Sequence, residues 1–165
     1  YSTYDHYPMS DPLESIVNGY VEKDTDAVLI GLQYDQRVQW INELRNRGVS
    51  VIAENGPVFD EARALYNRGR MGLNWSTMND LNARVFEIPA MKLCPIVNVV
   101  PDMLQHGFLL NHLTFTNMSE AIEKVMWAKE HPREQEAIAQ STYNLIQGQT
   151  YDARIQTILE ESGFA

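Results

Sequence analysis

The chain has 165 residues and a mass of 18.9 kDa, a length that favours one domain with a buried core. Apolar residues make up 44% and charged residues 21%, which excludes an intrinsically disordered composition. Lys and Arg number 13 and Asp and Glu number 22, so the formal net charge is −9, and such a surface is not expected to bind nucleic acid.

The first predicted unit is an N-terminal arm or connector over residues 1–24, in which tyrosines stand in polar sequence. Residues 25–165 are predicted to form the domain proper. Residues 27–31 are an apolar run without alternation, which is typical of a strand covered on both faces. Asp35 is predicted to cap a helix with Val38, Ile41 and Leu44 on one stripe, ended by Gly48.

The alternation of predicted strands and helices continues along the chain. The remaining predicted elements, in chain order, are strand 49–53, helix 59–67, strand 71–74, a helix over 81–91 disturbed by Pro89, strand 95–100, strand 113–115, and helices 118–130, 132–148 and 151–161. Strands alternating with helices predict an α/β fold with a parallel sheet of about five strands and helices on both faces. Such sheets bind ligands beyond the carboxyl ends of their strands.

Common sequence motifs are absent. There is no GxGxxG after the first strand, no Walker loop, no HExxH and no GxSxG, and four scattered histidines, most of them expected at the surface, do not predict a metal site. Cys94 is the only cysteine, so neither an intrachain disulfide nor a cysteine zinc cluster is possible. No apolar run is long enough to span a membrane, and no signal segment is recognisable, so we expect a cytoplasmic protein.

Arg37 is predicted to lie in the first turn of the helix that follows the first strand. The free N–H groups and partial positive charge of a helix N-terminus attract anions, and a guanidinium beside them adds donors. The alternative is that Arg37 is a solvated residue or pairs with Asp35, and on position alone this alternative is favoured.

Arg84 and Glu87 are three residues apart and share a helix face. They could form a simple ion pair, or Glu87 could accept the two hydroxyls of a ribose, as acidic residues do in other nucleotide-binding folds. Glu87 has apolar neighbours on both sides in the sequence. Spacing alone does not decide between the two readings.

A polar stretch links the third strand to this helix and contains Asn74 and Asn82. Thr77 or Asn79 could be the helix N-cap, and the same stretch could bind a sugar or a phosphate. Trp40 and Trp127 occur at helical spacing and are predicted to be core residues rather than stacking platforms for a base.

Several of these residues occur in an order that resembles a known family. The relevant stretches are Asp26 to Arg37, Gly48 to Val51, Leu65-Tyr66, Met71 to Asn74, Asn82-Ala-Arg84-Val-Phe-Glu87 and Thr150-Tyr-Asp-Ala-Arg154. Together they resemble the CgeB-like group of glycosyltransferases, and specifically the C-terminal, donor-binding half of a GT-B enzyme. The resemblance covers most of the chain, from about Asp26 to Leu159.

The resemblance implies a Rossmann-like domain that is a single half of a GT-B enzyme and binds a nucleoside-diphosphate sugar, such as a UDP- or GDP-sugar. It implies a hexosyltransferase-type activity without a metal or a further cofactor. By the same resemblance, Glu87 holds the nucleotide ribose, Arg37 meets the diphosphate, and Asn82 and Arg84 lie beside the donor. One departure is Lys92, where related enzymes usually have a glycine that lets the backbone approach the donor.

The acceptor-binding half of such an enzyme is missing from this sequence. We therefore expect the chain to act with a separate acceptor-binding domain or as a homo-oligomer. The alternative is a non-catalytic nucleotide-binding or assembly module of the same fold.

Overall fold

The structure is a computed structural model, and it describes residues 23–163. In chain order, the elements of this part are β1 (Thr25–Ile30), α1 (Asp35–Asn46), β2 (Val51–Glu54), α2 (Phe59–Asn67), β3 (Gly69–Asn74), α3 (Arg84–Ala90), β4 (Cys94–Asn98), a 3₁₀ turn (Pro101–Leu104), α4 (Phe108–Asn111), β5 (Leu113–Phe115), α5 (Met118–Glu130), α6 (Pro132–Leu145) and α7 (Tyr151–Ser162). The predicted N-terminal arm lies outside the described residues except for Lys23 and Asp24.

The strands form one parallel sheet in the order β2-β1-β3-β4-β5. The pairing register places Ala27 opposite both Val51 and Met71, so β1 is a central strand. Because all strands run in the same direction, the loops that follow them lie at one edge of the sheet, which we call the carboxyl edge. The predicted five-stranded parallel sheet is therefore confirmed.

Helices cover both faces of the sheet, as predicted. Successive residues of a strand point to opposite faces, and in β1 Leu29 packs with Trp40 of α1 whereas Val28 packs with Tyr66 of α2. The first face is closed by α1 and α5, and the second by α2 and α3. Trp40 is fully buried, which confirms its prediction as a core residue.

Two predicted helix starts are wrong. α1 has Tyr34 at its N-cap with no side-chain cap, and Asp35 is instead its first residue. α3 begins at Arg84 and not at residue 81, and its N-cap is Ala83 rather than Thr77 or Asn79. The 3₁₀ turn and α4 were not predicted, since each has only four residues and shows no helical periodicity.

The proline inside α3 has a specific partner elsewhere in the fold. Pro89 has no N–H, so it cannot bond the carbonyl of Val85 four residues earlier. The Nε2 atom of His112 lies 3.3 Å from that carbonyl oxygen and supplies the missing donor. His112 is 5% exposed, which corrects the expectation of a surface residue for this histidine.

α3 also lies unusually close to β3. A side chain at residue 72 would collide with Ile88, so Gly72 is what permits this approach. Glu87 precedes Ile88 on the same short helix, so the close packing fixes its position relative to the end of β3.

Candidate functional site

The carboxyl edge brings together the five residues that the sequence singled out. Arg37 follows β1 at the start of α1, Asn74 ends β3, and Asn82, Arg84 and Glu87 belong to the segment that follows β3. β1 and β3 are hydrogen-bonded neighbours, so the two segments emerge side by side. This is the edge where parallel sheets bind ligands.

Arg37 crosses the carboxyl edge from β1 to β3. Its Nε and Nη2 atoms donate to the Trp75 carbonyl at 3.0 and 2.6 Å, and Nη1 donates to the Leu32 carbonyl at 2.9 Å. The side chain therefore ties the loop after β1 to the residue after β3. Neither of the simple alternatives, a solvated side chain or a pair with Asp35, describes this arrangement.

Gly31 makes room for this guanidinium. A Cβ atom on residue 31 would lie 3.2 Å from Nη1 of Arg37, and the φ angle of +140° is one that other residues rarely adopt. The first glycine after β1 thus serves the packing of Arg37.

The charge of Arg37 is buried without a carboxylate beside it. The residue is 9% exposed, and no ion pair within residues 23–163 includes it. Burial lowers the pKa of Arg37, and the positive charge of Arg84 lowers it further. Two guanidinium groups therefore lie within electrostatic range of each other at this edge, an arrangement that an anion would stabilise.

Glu87 is paired with the second of these arginines. Nη1 of Arg84 lies 2.6 Å from Oε2 of Glu87, and the Glu87 side chain is only 7% exposed. The ion pair that the spacing allowed is thus present, and it is more deeply buried than an ordinary surface pair. The guanidinium of this pair is the one that acts electrostatically on Arg37.

The two asparagines shape the backbone around this pair. Nδ2 of Asn74 donates to Oδ1 of Asn82 at 3.2 Å, and the same oxygen accepts the backbone N–H of Arg84 at 3.1 Å. Asn82, which precedes the N-cap residue Ala83, thus accepts the first backbone N–H of α3. Asn74 is 3% exposed, so its side chain is part of the floor of the site.

Sequence reasoning missed one residue of this network. Asn98 ends β4, and its side chain bonds the backbone of Ser76, with Oδ1 2.6 Å from the N–H and Nδ2 3.3 Å from the carbonyl oxygen. The strand was expected to run to residue 100, so Asn98 was not recognised as a residue at the strand end. Its signal is a polar residue at the end of an apolar run, as for Asn74 in β3.

Lys92 lies far from the proposed donor position, at the opposite edge of the sheet. It follows the last turn of α3 and precedes β4, with a left-handed φ of +55°. Glycine is favoured at such a helix end because it has no Cβ. The departure at this position therefore concerns how the helix ends and not how the backbone approaches a donor.

Other functional groups are few in the part of the chain described. Residues 23–163 contain no group of three or more His, Cys, Asp or Glu side chains arranged for a metal ion. Burial raises the pKa of the Cys94 thiol to about 12, so this residue is not a nucleophile at neutral pH. No helix in this range has the length and apolar character needed to cross a bilayer.

Comparisons with known proteins agree with this fold. A family model described as "Glycosyl transferase-like" matches residues 12–160. Among solved structures, the chain is similar to the C-terminal domain of a glycosyl transferase group 1 family protein from Francisella tularensis, with a TM-score of 0.61 and 13% identity, over 89% of this chain and 96% of that one. The likeness confirms the Rossmann-like fold of a GT-B C-terminal domain. A search of curated proteins finds no match.

Proposed function

The chain belongs to the glycosyl transferase-like family, and on that premise we propose that it binds a nucleoside-diphosphate sugar at the carboxyl edge and presents it for glycosyl transfer. The observation that carries the proposal is the pair of arginines, Arg37 and Arg84, gathered at this edge, with the buried carboxylate of Glu87 paired to Arg84. No ion pair within residues 23–163 includes Arg37, so its buried positive charge is open to an anionic ligand in a protein with a net charge of −9.

The proposed roles follow from the chemistry of each group. A nucleoside diphosphate leaves with growing negative charge, and Arg37 with the N-terminus of α1 stabilises that charge without a metal. Glu87 accepts hydrogen bonds from the ribose hydroxyls. Asn74, Asn82 and Arg84 hold the segment between β3 and α3 in place beside the donor.

Within the family, we propose that the chain is closest to the CgeB-like group. The two sequence blocks that suggest this group meet in space: the guanidinium of Arg154 lies 4.9 Å from the ring centroid of Phe86, the residue before Glu87. Thr150 caps α7 by accepting the N–H of Ala153 at 3.1 Å, which aims Arg154 at that ring. The sequence blocks 82–87 and 150–154 are thus in contact with each other.

Calorimetric titration of the whole chain with UDP, GDP, their hexose conjugates and inorganic pyrophosphate tests the proposal. Glu87→Ala is expected to weaken nucleoside diphosphate binding by a factor of about ten or more, since a hydrogen bond to a charged group contributes about 1.5–3 kcal/mol. Pyrophosphate has no ribose, and the substitution frees Arg84, so its affinity is expected not to fall.

Arg37→Gln is expected to weaken both ligands, because both have the diphosphate. The matched control is Glu43→Ala, which removes a carboxylate from a surface ion pair with Arg47 and is expected to leave both affinities unchanged. Absence of binding to every nucleotide at millimolar concentration would contradict the proposal. Nucleotide binding without transfer, even with an acceptor domain added, would favour the non-catalytic module.

A further inference from the structure

Asn98 has a role in this site that neither the sequence nor the family assignment indicates. It ends β4, two strands away from β1, and both of the hydrogen bonds that its side chain makes within residues 23–163 go to Ser76. Oδ1 of Asn98 accepts the Ser76 N–H, and Nδ2 donates to the Ser76 carbonyl. A carboxamide is the side-chain group that offers an acceptor and a donor at this spacing.

Arg37 holds the other end of the peptide group that contains the Ser76 N–H. The Trp75 carbonyl and the Ser76 N–H belong to one peptide bond, and the carbonyl accepts two hydrogen bonds from Arg37, at 3.0 and 2.6 Å. The peptide group thus lies between the guanidinium on one side and the Asn98 amide on the other. Because it is buried and polarised by the guanidinium, the bonds at its two ends strengthen each other.

Packing prevents this peptide group from turning. The Trp75 ring is 7% exposed and contacts Trp40 and Phe115 edge-on, at centroid distances of 5.6 and 4.8 Å. On the other side of the peptide, the Ser76 hydroxyl bonds the side chain of Asp80 and accepts the Asp80 N–H. The first residues after β3 are therefore fixed by contacts to β4, α1 and their own loop.

We propose that Asn98 is a positioning residue of the donor site: through the Trp75–Ser76 peptide group it fixes the guanidinium of Arg37 and the start of the loop that leads to Arg84 and Glu87. This inference rests on the proposed function. Its physical effect is preorganisation, because a site whose loop is already ordered spends less binding free energy on ordering it.

The test compares Asn98→Ala and Asn98→Asp with the unsubstituted chain, using pyrophosphate and UDP as probes at a temperature where circular dichroism shows each variant fully folded. Asn98→Ala is expected to weaken both ligands about tenfold and to speed amide exchange at Ser76 and Thr77. Asn98→Asp keeps the acceptor for the N–H but sets a carboxylate against the Ser76 carbonyl, so it is expected to weaken both ligands as well.

A double-mutant cycle separates positioning from mere stabilisation. Asn98→Ala combined with Arg37→Gln is expected to be non-additive in ligand affinity, because the two side chains hold one peptide group. The control is Lys129→Ala, which removes contacts to Asp26 and Gly48 at 2.6 and 2.8 Å at the opposite edge. It is expected to lower stability without changing affinity, and to be additive with Arg37→Gln.

The outcomes distinguish the two proposals. If the unsubstituted chain binds neither of these probes nor GDP, the proposed function fails. If it binds and the Asn98 variants that fold bind equally well, the function stands and the role of Asn98 is refuted. Should Asn98→Ala fail to fold, the isosteric Asn98→Asp decides the matter by the same criterion.

Discussion

Arg37 is the residue whose surroundings best explain the site. A guanidinium that is 9% exposed and bonded only to carbonyl oxygens among the described residues keeps its full positive charge in the interior. Buried charges in proteins are usually paired. In our account, a bound ligand supplies the missing negative partner.

The position of Arg37 was predicted from sequence, but its contacts were not. An apolar strand followed by a helix start places residue 37 at the carboxyl edge by simple counting. That the side chain turns back to bond the Trp75 carbonyl depends on a register between β1 and β3, which single-sequence patterns do not specify. For the same reason, the hydrogen bonds between Asn98 and Ser76 could not be predicted from the sequence.

Lys92 gives a residue-scale prediction about stability. Its φ of +55° costs a residue with a Cβ atom roughly 1–2 kcal/mol. Lys92→Gly removes that strain but also the contact of Nζ with the Tyr143 ring, at 4.7 Å, and adds chain entropy to the unfolded state. The net result is expected to be a gain of about 0.5–1 kcal/mol in unfolding free energy, measured by urea denaturation.

Lys92→Ala is the matched control for this substitution. It removes the ammonium group but keeps the Cβ atom, so it is expected to give no gain. Nucleotide affinity should be the same in both variants, because residue 92 lies at the edge opposite the site. A gain for alanine as large as for glycine would show that the strain is not in the backbone.

At the scale of elements, α3 is the segment that differs most from its prediction. It is only seven residues long, contains a proline and has no side-chain cap from its N-cap residue. Its order comes from tertiary contacts, namely Gly72 beneath Ile88 and His112 at the Val85 carbonyl. Propensity and periodicity cannot report such contacts, which is why its start was misplaced while the longer α5 was placed correctly.

His112 makes the stability of this element depend on pH. Burial lowers its pKa from the ordinary 6.5 to about 4. The unfolded chain therefore binds a proton at His112 more readily than the folded chain between these values, so stability falls as pH falls below 6.5 and the loss levels off near pH 4. A shift of this size corresponds to about 3 kcal/mol in total.

Urea denaturation at a series of pH values between 7 and 4 measures this loss. His112→Gln is expected to keep a donor for the Val85 carbonyl without titrating, and so to flatten the profile over this range. The carboxyl groups with lowered pKa values, such as Asp26 and Glu120, begin to lose their contribution near their ordinary pKa values of 3.8 and 4.5, at the acid end of this range, and they do so equally in both proteins. An equally steep profile in the glutamine variant would rule out His112 as the cause.

At the scale of the whole molecule, the sheet was predicted well because its signals are local and repeated. Apolar runs such as residues 27–30 and 94–97 alternate with amphipathic helices, and the parallel arrangement follows from that alternation. The strand order is not a local property and needed the structure. Ligand roles at the carboxyl edge, the acceptor-binding partner, self-association and a cytoplasmic location stay predictions.

The distribution of charge supports one face for the ligand. The chain as a whole is acidic, with a net charge of −9, whereas Arg37 and Arg84 stand together where β1 and β3 end. Arg84 is paired with Glu87 at this edge, and Lys129 and Arg68 at the amino edge are paired with Asp26 and Asp24, whereas no ion pair within residues 23–163 includes Arg37. The charge of Arg37 therefore favours an anionic ligand at the carboxyl edge.

The most direct measurement is a map of backbone amide shifts in the isotope-labelled whole chain during titration with UDP or GDP. Our account predicts that the perturbed amides cluster in residues 31–38 and 74–88, while amides near Gly48 and Lys92 at the other edge keep their positions. Perturbations that gather away from those two segments, or a spectrum that stays unchanged at millimolar nucleotide, would contradict the central claim.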